Sequence, residues 1–359
     1  MAVSEDLDAL TTRIGIIGCG YGAQVLVPAF RADARTEVVA IAARSRARAQ
    51  SAAQALGIPG FADDWRELLD PRRLDALAIA APPDAQAEIA RAALECGLHV
   101  FAEKPLASTL DGARRLAALA VRSGRAHAID FNFREVAAIR KAREVLRSNA
   151  LGALRHVAVV WQVESFANQA RLESWKTDRG AGGGALSNFV SHALDYLEWL
   201  AGPIIGLSAR LAGMPGDGRP NDTFVSMACR FAGGAAGSLL MSAAAYRGSG
   251  HRIEFYGEGG SLVLENPGRD YMRGFDLRLA VRPRDFARVV PPTDEDAWED
   301  GRVLPTSRIV SGFLDWIDGG KPAEPNFTAG LRVQCLLDHA RRSHETGRWL
   351  EVGAQDSGI

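Results

Sequence analysis

RIGIIGCGYGAQVLVPAFRA, residues 13–32, decides how the rest of this chain is read. Ile14, Ile16 and Ile17 make a short, β-branched, almost wholly apolar run, the pattern of a strand buried on both faces. Gly18-Cys19-Gly20-Tyr21-Gly22-Ala23 follows at once, and residues 24–31 suit a helix. Strand, glycine turn and helix in that order place a pyrophosphate at the N-terminal end of the helix. Gly18 permits the tight turn, Gly20 lets backbone approach the phosphates, and Ala23 keeps helix and strand close. The G-x-G-x-x-A pattern alone also marks plain tight turns; its place between strand and helix favours a dinucleotide.

The totals narrow the function classes. A chain of 359 residues with 47% hydrophobic residues can fill two or three cores, and a net charge of −1 gives no electrostatic case for nucleic acid. No run of about 18 apolar residues is present, so no membrane partner is expected. The opening MAVSEDLDAL is acidic and lacks a signal pattern, so residues 1–12 are read as a flexible tail and the protein as cytoplasmic. Cys19, Cys96, Cys229 and Cys335 lie far apart, as reduced thiols do. His99, His127, His339 and His344 form no ligand spacing, and no metal is expected.

From residue 13 to about 130, strand-like runs at 14–17, 38–42, 76–80, 99–102 and 126–131 alternate with helical ones at 46–56, 64–69, 85–96 and 110–122. Such alternation predicts an α/β fold: a doubly wound parallel sheet, residues 13–132 forming a Rossmann NAD(P)-binding domain. Ligands then sit beyond the carboxyl ends of the strands, where Ala81-Pro82-Pro83 and Glu103-Lys104-Pro105 fall. Past a linking helix at 135–147 the pattern changes. Runs at 156–164, 224–231, 237–243, 253–256 and 261–264 are strand-like, with glycine turns at 232–234 and 257–260 joining neighbours as hairpins. Residues 133–359 are therefore expected to form an α/β domain around a large, open, mostly antiparallel sheet. It is expected to carry strand and loop at 270–303 and closing helices at 307–317 and 329–343.

Two stretches join the glycine turn: GLHVFAEKPL at 97–106 and GGGALSNFVSHALD at 182–195. With GCGYGA they resemble the Gfo/Idh/MocA family (glucose-fructose oxidoreductase, inositol dehydrogenase, rhizopine catabolism) over nearly the whole chain. The specific part is a strand followed by Glu-Lys-Pro about 85 residues after the glycine turn. The resemblance implies a nicotinamide enzyme moving hydride to or from a hydroxyl-bearing carbon, usually of a sugar, inositol or related polyol. It also implies that residues 133–359 bind substrate and that their sheet mediates oligomers, often dimers or tetramers. By motif position Lys104 matches the active-site lysine, Glu103 and Pro105 its neighbours, and His192 the family histidine. Asn188 stands where the family usually has an aspartate, a departure that bears on proton transfer.

The residues also carry reasons of their own. On a helix over 185–200, Asn188, His192 and Asp195 share one face, opposite a core stripe of Leu186, Val190, Ala193, Leu197 and Leu200. Such a polar stripe often only meets solvent, and Asp195 reads equally as an ion-pair residue. The preceding Gly182-Gly183-Gly184 favours a ligand, since glycines let one approach backbone. Lys104, at the carboxyl end of a strand, can hydrogen-bond the reacting oxygen and stabilise its charge. Trp175 and Lys176 read either as pocket wall or as packing and solvent residues, and Asn132 as a cofactor-side residue.

The expected activity is hydride transfer between NADP (NAD being possible) and a sugar-like alcohol or ketone. Two alternatives stay open: a reductase of a non-sugar cyclic carbonyl or imine, and a non-catalytic dinucleotide-bound sensor. Ala42-Ala43-Arg44-Ser45-Arg46 ends the second strand with no acid for ribose hydroxyls and with arginines for a 2′-phosphate, so Arg44 and Ser45 join Gly18, Gly20, Tyr21, Gly22, Ala23, Ala81, Pro82, Glu103, Lys104 and Asn132 in the expected cofactor set. Lys104, His192 and Asn188 form the catalytic set, His192 as general acid/base and Asn188 as a neutral positioning group. A histidine of ordinary pKa, about 6.5, suits proton transfer near neutral pH. A homodimer or homotetramer is expected through the C-terminal sheet, on the side bearing Val157, Val159, Trp161 and Val163, the other reading of those four being packing on the domain's own helices alone.

Overall fold

The structure, a computed structural model, describes residues 11–291, 298–353 and 356. The expected tail at 1–12 lies outside them except for its last two residues, and Thr12 already belongs to the first strand. That strand, β1 (Thr12–Ile17), is the centre of a six-stranded sheet. With β2 (Thr36–Ala42), β3 (Gly60–Ala62), β4 (Ala76–Ile79), β5 (His99–Ala102) and β6 (His127–Ile129) it runs in the order β3-β2-β1-β4-β5-β6. Every pairing is parallel, so the expected doubly wound fold is what forms. The crossovers carry α1 (Val27–Arg31), α2 (Arg46–Leu56), α3 (Pro83–Glu95) and α4 (Leu110–Ser123). Residues 64–69 close only as a short 3-10 turn, Trp65–Leu68, and α1 is entered through a π-helical turn, Gly22–Leu26. Ser45 caps α2 by accepting from Arg48 N, and Thr109 caps α4 by accepting from Gly112 N.

The second part of the chain opens with α5 (Ala137–Arg147) and β7 (Leu154–Gln162). Then come α6 (Phe166–Gln169), α7 (Ser191–Ala201), β8 (Ile204–Ala212), β9 (Phe224–Phe231), β10 (Ala236–Ser242), β11 (Gly250–Gly257), β12 (Gly260–Asn266), β13 (Asp276–Val281) and β14 (Ala287–Arg288). It closes with α8 (Val303–Ile317), α9 (Phe327–Thr346) and β15 (Leu350–Glu351). The strands form one sheet ordered β14-β13-β12-β11-β7-β10-β9-β8-β15, antiparallel throughout except for the β7–β10 pair. Both glycine turns join hairpins, β9–β10 and β11–β12.

Strand alternation decides which side of this sheet is covered. Val157, Val159 and Trp161 of β7 share a core with Leu194 and Leu197 of α7 and Leu336 and Leu337 of α9. These β7 residues therefore face the domain's own helices, not a second copy. The opposite face presents Ala158, Val160, Ser226, Ala228, Ser238 and Leu240, partly or fully exposed.

Helix α8 lies late in the chain yet packs into the first sheet. Val310, Phe313 and Leu314 share a core with Ile14, Ile16, Phe30 and Phe101. Phe101 meets Phe30 and Phe313 edge-on at 5.4 and 5.9 Å.

Helix α7 is almost wholly buried, and Asp195 settles as an ion-pair residue. Arg134, just after β6, donates to both carboxylate oxygens of Asp195, at 2.7 and 2.5 Å. The pair is sealed, its side chains 9% and 1% exposed. Removing one partner of such a pair strands a buried charge. Asp195→Ala is expected to lower unfolding free energy by about 3–5 kcal/mol in urea titration; a loss under about 1 kcal/mol would show that the pair is not a structural tie.

Candidate active site

The glycine turn forms for the reasons the sequence suggests, with one exchange of roles. Gly18 adopts φ +107°, and its N–H donates to Ala42 O at 2.8 Å. Close packing of helix on strand falls to Gly22, where a Cβ would meet Ile16 Cγ2 at 3.0 Å. Ala23, expected in that role, is half-buried. Gly20 faces open space along the cleft.

At the end of β5, Gln86 of α3 grips the next turn by donating to the carbonyls of Glu103 and Pro105. Lys104 points from that turn into a cleft of about 570 Å³ between the two sheets. Its ammonium donates to Asn188 O at 3.0 Å and makes no ion pair among the described residues. Burial pulls the Lys104 pKa down to about 8, with the neighbouring carboxyl pair of Glu103 and Asp130 opposing and Lys176 adding to the shift.

The opposite wall comes from the turn before α7, Leu186–Val190. Asn188 Nδ2 donates to Lys176 O and to Gly184 O, both at 2.9 Å. An aspartate in that pose would set its charge against two carbonyl oxygens. The amide therefore positions the loop by its side chain and Lys104 by its backbone. The glycine run answers to protein rather than to a ligand: a Cβ on Gly183 would fall 2.1 Å from Trp175 O, and one on Gly184 would fall 2.1 Å from Asp222 Oδ1.

His192 lines the same cleft, with its ring centroid 6.0 Å from that of Phe131 and 4.9 Å from that of Phe133. Burial first, then the charges of Lys104 and His251, hold its pKa well below the usual imidazole range. The ordinary pKa expected of His192 is thus not what it has; it stays neutral at working pH. Lys104 is the group that titrates there.

Every expected substrate residue, Lys104, Trp175, Lys176, Asn188 and His192, lines this one cleft. So do Gly20, Tyr21, Ala81, Pro82, Glu103 and Asn132 from the cofactor set, whereas Gly18, Gly22, Ala23, Arg44 and Ser45 lie off it. The residues fit a nicotinamide dinucleotide: the turn is open at Gly20, and Glu103 Oε1 and Asn132 Oδ1 are buried on the cleft residues without a protein partner. Arg44 is exposed and makes no ion pair among the described residues, while Arg46 reaches Asp63 at 3.4 Å and lies over the Phe61 ring.

Sequence reading missed several members. Tyr21 OH donates to Asp130 Oδ2 at 2.8 Å, and Thr306 Oγ1 donates to Asp130 at 3.1 and 3.2 Å. Asp130 had a usable signal, an acid at the carboxyl end of a buried parallel strand. Thr306 had none, since 176 residues separate it from Asp130. Trp161, Phe189 and Tyr271 meet edge-on within 5.2–6.0 Å and complete an aromatic lining.

Among the described residues no helix is long and apolar enough to cross a membrane. A family model described as oxidoreductase family, NAD-binding Rossmann fold (GFO/IDH/MocA), matches residues 12–131, and that of the GFO/IDH/MocA C-terminal domain matches residues 139–263. An uncharacterised oxidoreductase of Synechocystis sp. is 32% identical over 356 residues, spanning 94% of this chain and 95% of its own length. A levoglucosan dehydrogenase of Pseudarthrobacter phenanthrenivorans is 26% identical over 382 residues, spanning 95% and 98%. A solved levoglucosan dehydrogenase in complex with NADH and L-sorbose superposes with a TM-score of 0.86 at 23% identity, over 97% of this chain and 100% of that one, a likeness of fold.

Proposed function

Because the chain belongs to the GFO/IDH/MocA oxidoreductase family, with its NAD-binding Rossmann fold, we propose that it interconverts a hydroxyl and a keto carbon of a cyclic, sugar-like polyol. The observation that carries this is Lys104, half-buried at the carboxyl end of β5 in a cleft shared by His192, Asn188 and the open glycine turn. The aromatic lining suits the apolar face of a ring, the polar groups its hydroxyls. The levoglucosan dehydrogenase relative supports that substrate class.

When bound at Gly20 and Tyr21, nicotinamide supplies the hydride chemistry. The chain's own part is the proton. In oxidation the neutral Lys104 amine accepts the hydroxyl proton; in reduction its ammonium returns it to the oxygen. Neutral His192 hydrogen-bonds the substrate and fixes which hydroxyl meets Lys104. A panel of anhydro-sugars, cyclitols and keto-sugars, read by nicotinamide absorbance, is expected to contain a substrate; no turnover on any member would count against the reading. Since deprotonated Lys104 is the base, oxidation should rise with pH through about 8 and reduction should fall through the same range. Lys104→Met should cut turnover by about 100-fold or more. His192→Ala should lower turnover without moving the pH midpoint, and a midpoint that moves with His192 would return the proton to the histidine.

The finer cofactor preference rests on the end of β2. Arg44 makes no ion pair there among the described residues, Ser45 caps the following helix, and no acid stands at that strand end to hold ribose hydroxyls. NADP(H) is the preferred cofactor on this reading, with Arg44 on the 2′-phosphate. Arg44→Ala should weaken NADP(H) about tenfold in fluorescence titration, about 1.4 kcal/mol, and leave NAD(H) unchanged; equal loss for both would remove Arg44 from the site.

The outward face of the second sheet fits a second copy of the chain. Its small residues, Ala158, Ser226, Ala228 and Ser238, with Val160 and Leu240, leave a flat surface for two sheets to meet. Light scattering at micromolar concentration should report a dimer or tetramer and Leu240→Arg a smaller species; a wild-type monomer would refute the interface.

A further inference from the structure

Glu103 and Asp130 leave adjacent strands side by side. Ala102 pairs with Ile129 across β5 and β6, and Asp130 N donates to Ala102 O at 2.9 Å. The two carboxyl groups lie within hydrogen-bonding reach of each other beside Lys104, Asp130 buried and Glu103 half-buried. Burial pushes both upward from the usual carboxylate range. Two ionised carboxylates in contact repel strongly away from water, and one proton held between them removes that repulsion.

The hydrogen bonds say which group holds it. Asn132 Nδ2 donates to Tyr21 OH at 3.1 Å and to Thr306 Oγ1 at 3.2 Å. Each hydroxyl, with Asn132 as its donor, turns its own proton to Asp130. Glu103 Oε1 accepts nothing. Donors favour an ionised carboxylate, so the charge rests on Asp130 and the proton on Glu103.

The other charged or titratable groups around Lys104 and the pair are Tyr21 from the glycine turn, Lys176, His192 of α7 and Arg302 at the start of α8. Arg302 is itself held by Asp300 at 2.6 Å and lies over the Tyr21 ring. Asn188 O, the direct partner of Lys104, is uncharged.

We propose that Glu103 and Asp130 act as a unit sharing one proton, and that the charge left on Asp130 keeps Lys104 protonated as an acid until the pH at which its free amine is needed. Asp130 is thereby a positioning residue acting through Lys104. The proposal rests on Lys104 being the proton carrier, yet its test needs no turnover, so the two readings fail separately.

Two measurements on the full chain decide it. An infrared difference spectrum at pH 7, wild type minus Glu103→Gln, should show the carbonyl band of a protonated carboxylic acid. Loss of a carboxylate band in its place overturns the assignment. Competitive labelling of Lys104 by acetic anhydride across pH, read by peptide mass spectrometry, should give the same midpoint in wild type and in E103Q. In the double variant E103Q/D130N the midpoint should fall by about one pH unit, the lower end of the effect of a close opposite charge. A double variant with the wild-type midpoint, or E103Q alone shifted as far, refutes the proposal. Should the double variant not fold, the infrared spectrum and the E103Q midpoint remain decisive.

Discussion

A half-buried lysine whose direct partner is a carbonyl rather than a carboxylate is the constraint to which this structure is fitted. Taking an ammonium out of water is costly unless nearby groups compensate. Lys104 has one backbone carbonyl at 3.0 Å and the field of a carboxyl pair behind it. Gln86 holds the turn that aims it, and Asn188 holds the loop that meets it. The incomplete compensation is useful. A solvated lysine titrates at about 10.4 and stays charged at neutral pH. Here the same group titrates at about 8, close enough to neutrality to give and take a proton.

Much of the fold was legible because its signals are local. Residues 14–17 and 76–79 read as buried strands since both their faces are covered, and α2 has a capping serine and a terminating Gly57 at φ +60°. Strands β3 and β8 escaped for physical reasons. The first has three residues, too few for a period. The second breaks its apolar run at Gly206, whose reason lies at the far end of the chain: a Cβ there would meet Trp349 Nε1 at 2.8 Å. Alternation along β7 separates two faces without saying which one is covered. Helices α7 and α9 decide that, and both come later in the chain.

The candidate site was legible where chemistry and motif coincide. Lys104, Asn188 and His192 converge on one cleft, yet what surrounds them set their roles. His192 carries a buried, neutral ring because Phe131 and Phe133 pack against it, a fact absent from its spacing. Asn188 departs from the usual family aspartate, and its amide makes two contacts that a carboxylate could not. Negative charge near Lys104 comes instead from the carboxyl pair at the first sheet's own edge of the cleft, Glu103 and Asp130.

That charge depends on the far end of the chain. Thr306 reaches Asp130 only because α8 returns to the first sheet, held by Phe313 against Phe101 and by Val310 and Leu314 in the same core. Arg302, one turn earlier, lies over the Tyr21 ring at 5.1 Å and so braces the glycine turn as well. The nucleotide-binding half is thus closed by a helix encoded after the second sheet. Docking of α8 therefore does two things with one apolar contact surface. It completes the core of the first sheet, and it supplies a donor that keeps Asp130 ionised. A chain in which α8 had not docked would still present Lys104 at the end of β5, but with one donor fewer on the carboxylate that steadies it. Electrostatic readiness of the site is in this way tied to completed folding rather than to the Rossmann segment alone.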